Sequence, residues 1–240
     1  MAVKRSSSAS RVLKVFEHVA ALQPIGVSAL ARALEADKSA VQRDLMTLAD
    51  AGWIRGASGA AGQWELTPHV LTLARPPHST DSLRQRARPA LERLRAETGE
   101  TAYLAVPDGD QFVVIDAVES QRMLRMVPPV GMVIRIEGSA TARAILPHLP
   151  EADQARLLGR PVTPAQRAEF EATLARGYAV NDGEVEESAV AMAAAIVLHR
   201  GPPVGALVLT GPAERLTPER RAELGGPLQR EAEALMQRQS

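Results

Sequence analysis

The sequence predicts an α+β protein in two parts: an N-terminal winged helix-turn-helix and a larger C-terminal domain on a central antiparallel sheet. Three observations predict it. Apolar residues first recur every three or four positions, then beyond residue 100 fall into strand-like runs. A three-residue turn, Glu35-Ala36-Asp37, separates two short helical patterns. A glycine-rich stretch from Gly56 to Gly62 separates two short apolar runs, as in a hairpin.

The first helix spans 8–22, with Val12, Val15, Phe16, Val19 and Leu22 on one stripe. Gln23-Pro24-Ile25-Gly26 breaks it. Ser28 is placed to cap a second helix through Leu30, Ala31 and Leu34. Asp37 can accept hydrogen bonds from the free amides that open a third helix. That helix buries Val41, Leu45 and Leu48 and stops at Gly52. The hairpin joins Trp53-Ile54 to Gln63–Leu66, and a short helix covers 67–75. Prolines and small polar residues over 75–80 mark the boundary, giving a DNA-binding domain at 1–75, a linker helix within 76–98 and a second domain at 99–240.

In the second domain, 101–106 and 111–118 flank a Pro107-Asp108-Gly109-Asp110 turn. Residues 122–127 and 133–136 read as further strands, and 139–148 and 150–158 as helices. Thr163-Pro164 opens a helix that Gly177 closes. Residues 190–199 and 204–210 form a second hairpin, and Thr217-Pro218 starts the last helix.

The chain has 240 residues, 28 basic and 28 acidic, and no cysteine. Disulfides, thiolate chemistry and cysteine-ligated zinc are therefore excluded, and a cytoplasmic location is the expectation. No run of 18 apolar residues crosses a membrane. The balance is uneven along the chain: residues 1–75 carry nine basic against six acidic residues, and the remainder 19 against 22. Lys4, Lys14 and Lys38 all fall in the first part, so that part is the one expected to meet a polyanion.

Helix, short helix, turn, helix and hairpin in this order build a winged helix-turn-helix, whose third helix fits the major groove. Its outward residues are Lys38, Ser39, Gln42, Arg43 and Thr47. Arg43 and Gln42 can reach guanine and adenine edges, while Lys38, Ser39 and the helix-opening amides suit phosphate. Ser28, Arg55 on the wing and Arg11 near the chain start complete the expected contacts. Polar outer faces also occur on helices of any α-rich protein, where Arg43 is merely a solvated charge.

These segments carry a resemblance. The stretches 27–53, 83–120, 137–146, 176–196 and 207–224, in this order and spacing, resemble the IclR (isocitrate lyase regulator) family of bacterial transcription factors. The resemblance implies a GAF-like effector domain, homodimers or dimers of dimers on pseudo-palindromic operator DNA, and a small organic effector. It places Ser139, Ala140, Thr141, Asn181, Ala191, Val208 and Thr210 at the effector site. Members that bind small acids usually have cysteine, serine and aspartate where Ala191, Val208 and Asn181 stand here. The usual Gly-Lys is Ala142-Arg143, and a nearby histidine is Glu137. Such a pocket favours a less polar effector, an aromatic or hydrophobic carboxylic acid. Met126 and Met132 either line it or fill core.

Catalytic signatures are missing: no His-Glu-x-x-His, Gly-x-Ser-x-Gly, phosphate loop or dinucleotide fingerprint occurs. His18, His69, His78, His148 and His199 lack metal-ligand spacing, and Glu184, Glu186 and Glu187 read as a solvated loop. No cofactor or metal is expected. The leading expectation is an effector-gated repressor of neighbouring catabolic genes. The alternatives are a winged-helix protein whose C-terminal domain is enzymatic, or one whose C-terminal domain only oligomerises.

Overall fold

The computed structural model describes residues 6–73, 78–198 and 201–236. The chain divides into two compact units, Met1–Pro77 and His78–Ser240.

In the first unit, α1 (Ser7–Leu22) is capped by the Ser6 hydroxyl, which accepts from the Ala9 amide. A two-residue strand, β1 (Ile25–Gly26), leads into α2 (Val27–Ala33) and α3 (Lys38–Asp50). The wing is β2 (Ile54–Gly56) and β3 (Gln63–Leu66), followed by α4 (His69–Leu73). The strands form an antiparallel sheet in the order β1-β3-β2. The segment expected only to break α1 thus also supplies a strand, with Ile25 opposite Trp64. Ser28 does not cap α2: the cap position is Gly26, with no side-chain bond, and Ser28 lies exposed in the first turn. Asp37 does cap α3, accepting from the Ser39 and Ala40 amides. Gly52 follows α3 at φ +80°, a left-handed conformation that suits glycine. Val15, Val19, Leu30, Val41, Leu45 and Ile54 close the core.

The second unit begins with α5 (His78–Thr98). This is the helix whose sequence reads as a linker, and it is built into the unit: Leu83, Ala87, Leu91 and Leu94 are all buried. Residues 75–77 of the expected boundary lie outside the described residues. A six-stranded antiparallel sheet runs β6 (Val133–Ile134), β5 (Gln111–Val118), β4 (Thr101–Asp108), β9 (Pro203–Pro212), β8 (Ala189–Val197), β7 (Ala179–Asp182). One face packs on α5 and α9 (Pro218–Met236), through Leu104, Met192, Ile196, Leu207 and Leu209. The other carries Tyr103, Phe112, Val114 and Val208 beneath α6 (Ala140–Ile145) and α8 (Pro164–Arg176). Helix α7 (Glu151–Leu158) joins those two.

Two strand expectations fail. Residues 122–127 form no strand, and of 133–136 only Val133 and Ile134 pair. The outer edge of β5 is already taken, because Val114 bonds Met132 and Gly131 through both its amide and its carbonyl. The chain thus meets that edge only from Gly131 onward, and residues 122–127 pair with no strand. Strand β7, absent from the sequence reading, pairs Asn181 with Ala191.

Candidate functional site

Two regions gather the candidate residues. On α3, Val41, Asp44, Leu45 and Leu48 are buried, while Lys38, Ser39, Gln42, Arg43 and Thr47 are exposed. Arg43 donates to the Ser39 hydroxyl at 3.3 Å, and the Thr47 hydroxyl donates to the Arg43 carbonyl at 2.9 Å. Neither Lys38 nor Arg43 enters an ion pair among the described residues, so both cations remain available to an external anion.

The structure gives three expected contacts on this face partners within the fold. The opening amides of α3 are not all free for phosphate, since Asp37 accepts from the Ser39 amide at 2.9 Å and from the Ala40 amide at 3.1 Å. The Ser39 hydroxyl, donating to the same carboxylate at 2.6 Å, and those amides hold Asp37 below the usual carboxylate range. Arg11 is a strut: it grips the buried Asp44 with two bonds, at 2.6 and 3.2 Å, fixing α1 against α3. Arg55 pairs with Glu65 across the wing at 2.8 Å. That pair is exposed and so weak enough to exchange for phosphate.

The second region is a cavity of about 480 Å³ in the C-terminal unit. The β5–β6 connection contributes Met126, Val127, Pro128 and Met132; β6 and the residue after it contribute Val133, Ile134 and Arg135. Ser139 and Ala140 come from the start of α6, and Tyr103, Asn181, Ala189, Val190, Ala191 and Thr210 from the sheet. Val185 and Glu186 close one side. The wall is mostly apolar, with a few convergent polar groups, as small-molecule sites usually are.

Of the residues expected there, Ser139, Ala140, Asn181, Ala191, Thr210, Met126 and Met132 line the cavity. Val208 and Thr141 do not. Val208 is fully buried in the core beneath α6, two positions short of Thr210 on the same face of β9. Thr141 is 1% exposed, and its hydroxyl lies near the Tyr103 phenol but outside hydrogen-bonding geometry. The polar groups are partly committed to the fold. Ser139 caps α6 by accepting from the Ala142 amide at 3.2 Å. The Asn181 amide donates to the Gly138 carbonyl at 2.6 Å, and the Thr210 hydroxyl donates to Val190 at 3.1 Å. Burial pushes the Tyr103 phenol up to about 12, against a smaller pull from Thr141, so it is neutral at pH 7.

Tyr103, Arg135 and Glu186 were not anticipated. The unbroken buried run of β4 carries no face signal for Tyr103, and for all three the connectivity of the sheet was needed. Arg143, where the resemblance expects lysine, pairs with Glu169 at 3.2 Å and Glu184 at 2.9 Å and donates to the Val180 carbonyl. It thereby ties α6 to β7. No group of three or more His, Asp or Glu among the described residues could hold a metal. His199 lies outside those residues, and burial holds the His148 imidazole below its usual value.

A winged helix-turn-helix beside a separate α+β unit with an apolar cavity defines a DNA-binding transcription regulator. The chain belongs to the IclR family of bacterial transcriptional regulators. Residues 78–237 match the family's bacterial transcriptional regulator C-terminal domain, and 8–57 its helix-turn-helix domain. The chain is 28% identical over 232 residues to the transcriptional repressor IclR of Escherichia coli K12, covering 91% of this chain and 84% of that protein. It is 30% identical to the glycerol operon regulatory protein of Streptomyces griseus, over 81% of this chain and 80% of that one. An IclR homologue of Microbacterium hydrocarbonoxydans, solved in complex with 4-hydroxybenzoate, superposes with TM-score 0.73 at 21% identity. That match covers 95% of this chain and 100% of that one, and establishes the fold. These relatives are regulators, and the enzymatic alternative is set aside.

Proposed function

We propose that this regulator represses neighbouring catabolic genes and releases or grips its operator in response to an aromatic or hydrophobic carboxylic acid. The cavity of about 480 Å³ carries the reading, because its wall is largely apolar and its polar groups are few. A small keto acid would lose its hydration there with too few replacements. The ligand's ring would lie against Met126, Met132, Ala191 and Val190. Polar groups on the ligand would meet Asn181, Thr210, the Tyr103 hydroxyl and the Ala140 amide. The ligand seen in the Microbacterium homologue, 4-hydroxybenzoate, has this chemistry.

On the DNA side, Lys38, Ser39, Gln42, Arg43 and Thr47 form the reading face, with Ser28 and Arg55 contacting the backbone. One such helix reads too few base pairs for genomic specificity, so a homodimer, or a dimer of dimers, acts on a pseudo-palindromic operator. A ligand that prefers one conformation a hundredfold shifts the operator equilibrium by about 2.7 kcal/mol.

Calorimetric titration of the full-length protein with benzoate-like acids, alongside glyoxylate and pyruvate, tests the ligand class. Gel shifts on the DNA upstream of its own gene, with and without ligand, test the response. Tight binding of the keto acids alone would sink the ligand assignment. Light scattering that finds only monomer at micromolar concentration would sink the assembly.

A further inference from the structure

We infer that Arg135 selects ligands by charge at this cavity, engaging a ligand carboxylate at the rim. The inference deepens the ligand class proposed above and rests on it. Arg135 directly follows β6 and lines the cavity in company with Ser139 and Asn181. It is exposed, so its guanidinium remains hydrated and bears no burial penalty when the cavity is empty.

The same residue also borders a neighbouring hollow of about 360 Å³, shared with Arg143 and Arg160. Those two arginines are occupied: Arg143 by Glu169 and Glu184, and Arg160 by Glu137 at 2.5 Å. Arg135 has neither an ion pair nor a side-chain hydrogen bond with any described residue. A guanidinium offers five donors in a rigid fork that matches a carboxylate with two parallel bonds. At the rim of a mostly apolar wall, this unengaged cation is the natural partner for the charged end of an amphiphilic acid.

One group opposes it. Glu186 lines the same cavity, accepts from the Ser188 hydroxyl at 3.3 Å, and would favour an amine over an acid. Glu186 already has a donor of its own, whereas no donor of Arg135 is engaged. Glu137, the nearest carboxylate in sequence, is held by Arg160 and does not compete.

Calorimetry on the full-length protein with benzoate, benzamide and benzylamine at pH 7 holds the ring constant and varies the charge. Benzoate should bind roughly tenfold more tightly than benzamide, the size expected of a charge-assisted hydrogen bond. Arg135→Gln should erase that gap and leave benzamide unchanged, and Arg135→Lys should retain part of it. Equal weakening of both ligands by Arg135→Gln would reduce Arg135 to packing and overturn the inference. So would a gap that survives the substitution, or a preference for benzylamine, which assigns selection to Glu186. If none of the three binds, the proposed ligand class itself falls, and the inference falls with it.

Discussion

On α3, apart from Ser39, which bonds the Asp37 cap, the residues that hold the fold and the residues offered to a partner are different ones. Val41, Asp44, Leu45 and Leu48 face inward, and Lys38, Gln42 and Arg43 face outward without ion-pair duties. Around the cavity most polar groups have two jobs. Ser139 lines it and caps α6, Asn181 lines it and holds the Gly138 carbonyl, and Thr210 lines it and bonds β8. Affinity and stability should therefore separate cleanly on the helix face and travel together at the cavity. Arg135 is the exception, a lining residue with no structural bond.

The largest effect that sharpens this contrast is Arg43→Ala. Loss of a base contact should weaken operator binding by about 1–3 kcal/mol with the unfolding midpoint unchanged. Unchanged operator affinity would break the assignment of the face. Next, Arg11→Ala should lower the denaturation midpoint, because it leaves the Asp44 carboxylate buried and unpaired. The salt dependence of operator binding should stay as it was; a slope reduced by about one would return Arg11 to the phosphate contacts.

Ser139→Ala should cost about 1 kcal/mol, the usual value of a helix cap, and lower benzoate affinity in the same protein. If ligand binding fell with no change in stability, the two-job account of the cavity would be wrong. The smallest effect is a pH dependence at Asp37. Its carboxyl is held low chiefly by the Ser39 hydroxyl and then by the Ala40 and Ser39 amides. A lowered carboxyl stabilises the fold above its unfolded value, and that contribution disappears as pH falls through the folded value. Acid titration followed by circular dichroism should show this component in the native chain and not in Asp37→Asn.

Features legible in the sequence were those fixed by near neighbours. The Asp37 cap, the Gly52 stop, the Thr163-Pro164 helix start and the stripe on α5 each depend on residues within a few positions. Seven of the seventeen cavity-lining residues were legible, five of them through positions that the resemblance supplied. Distant pairing was what escaped. Residues 122–127 read as a strand, but the chain meets the edge of β5 only at Gly131 to Ile134. Val208 alternates in step with Thr210, yet α6 covers one and leaves the other at the cavity. Arg11 looked like any N-terminal cation until folding brought it to Asp44, 33 positions away.

The β5–β6 connection supplies Met126, Val127, Pro128 and Met132 to the cavity and then meets the sheet through Gly131 and Met132 at Val114 and through the two-residue strand β6. That wall is modular. Replacement between residues 126 and 130 would redraw part of the chamber's chemistry while leaving in place the bonds that Ser120 makes to Thr101 and Gly99, Leu124 to Arg215, and Gly131 and Met132 to Val114. A lineage could thus change what the chamber holds by exchanging one loop, with the helix-turn-helix untouched.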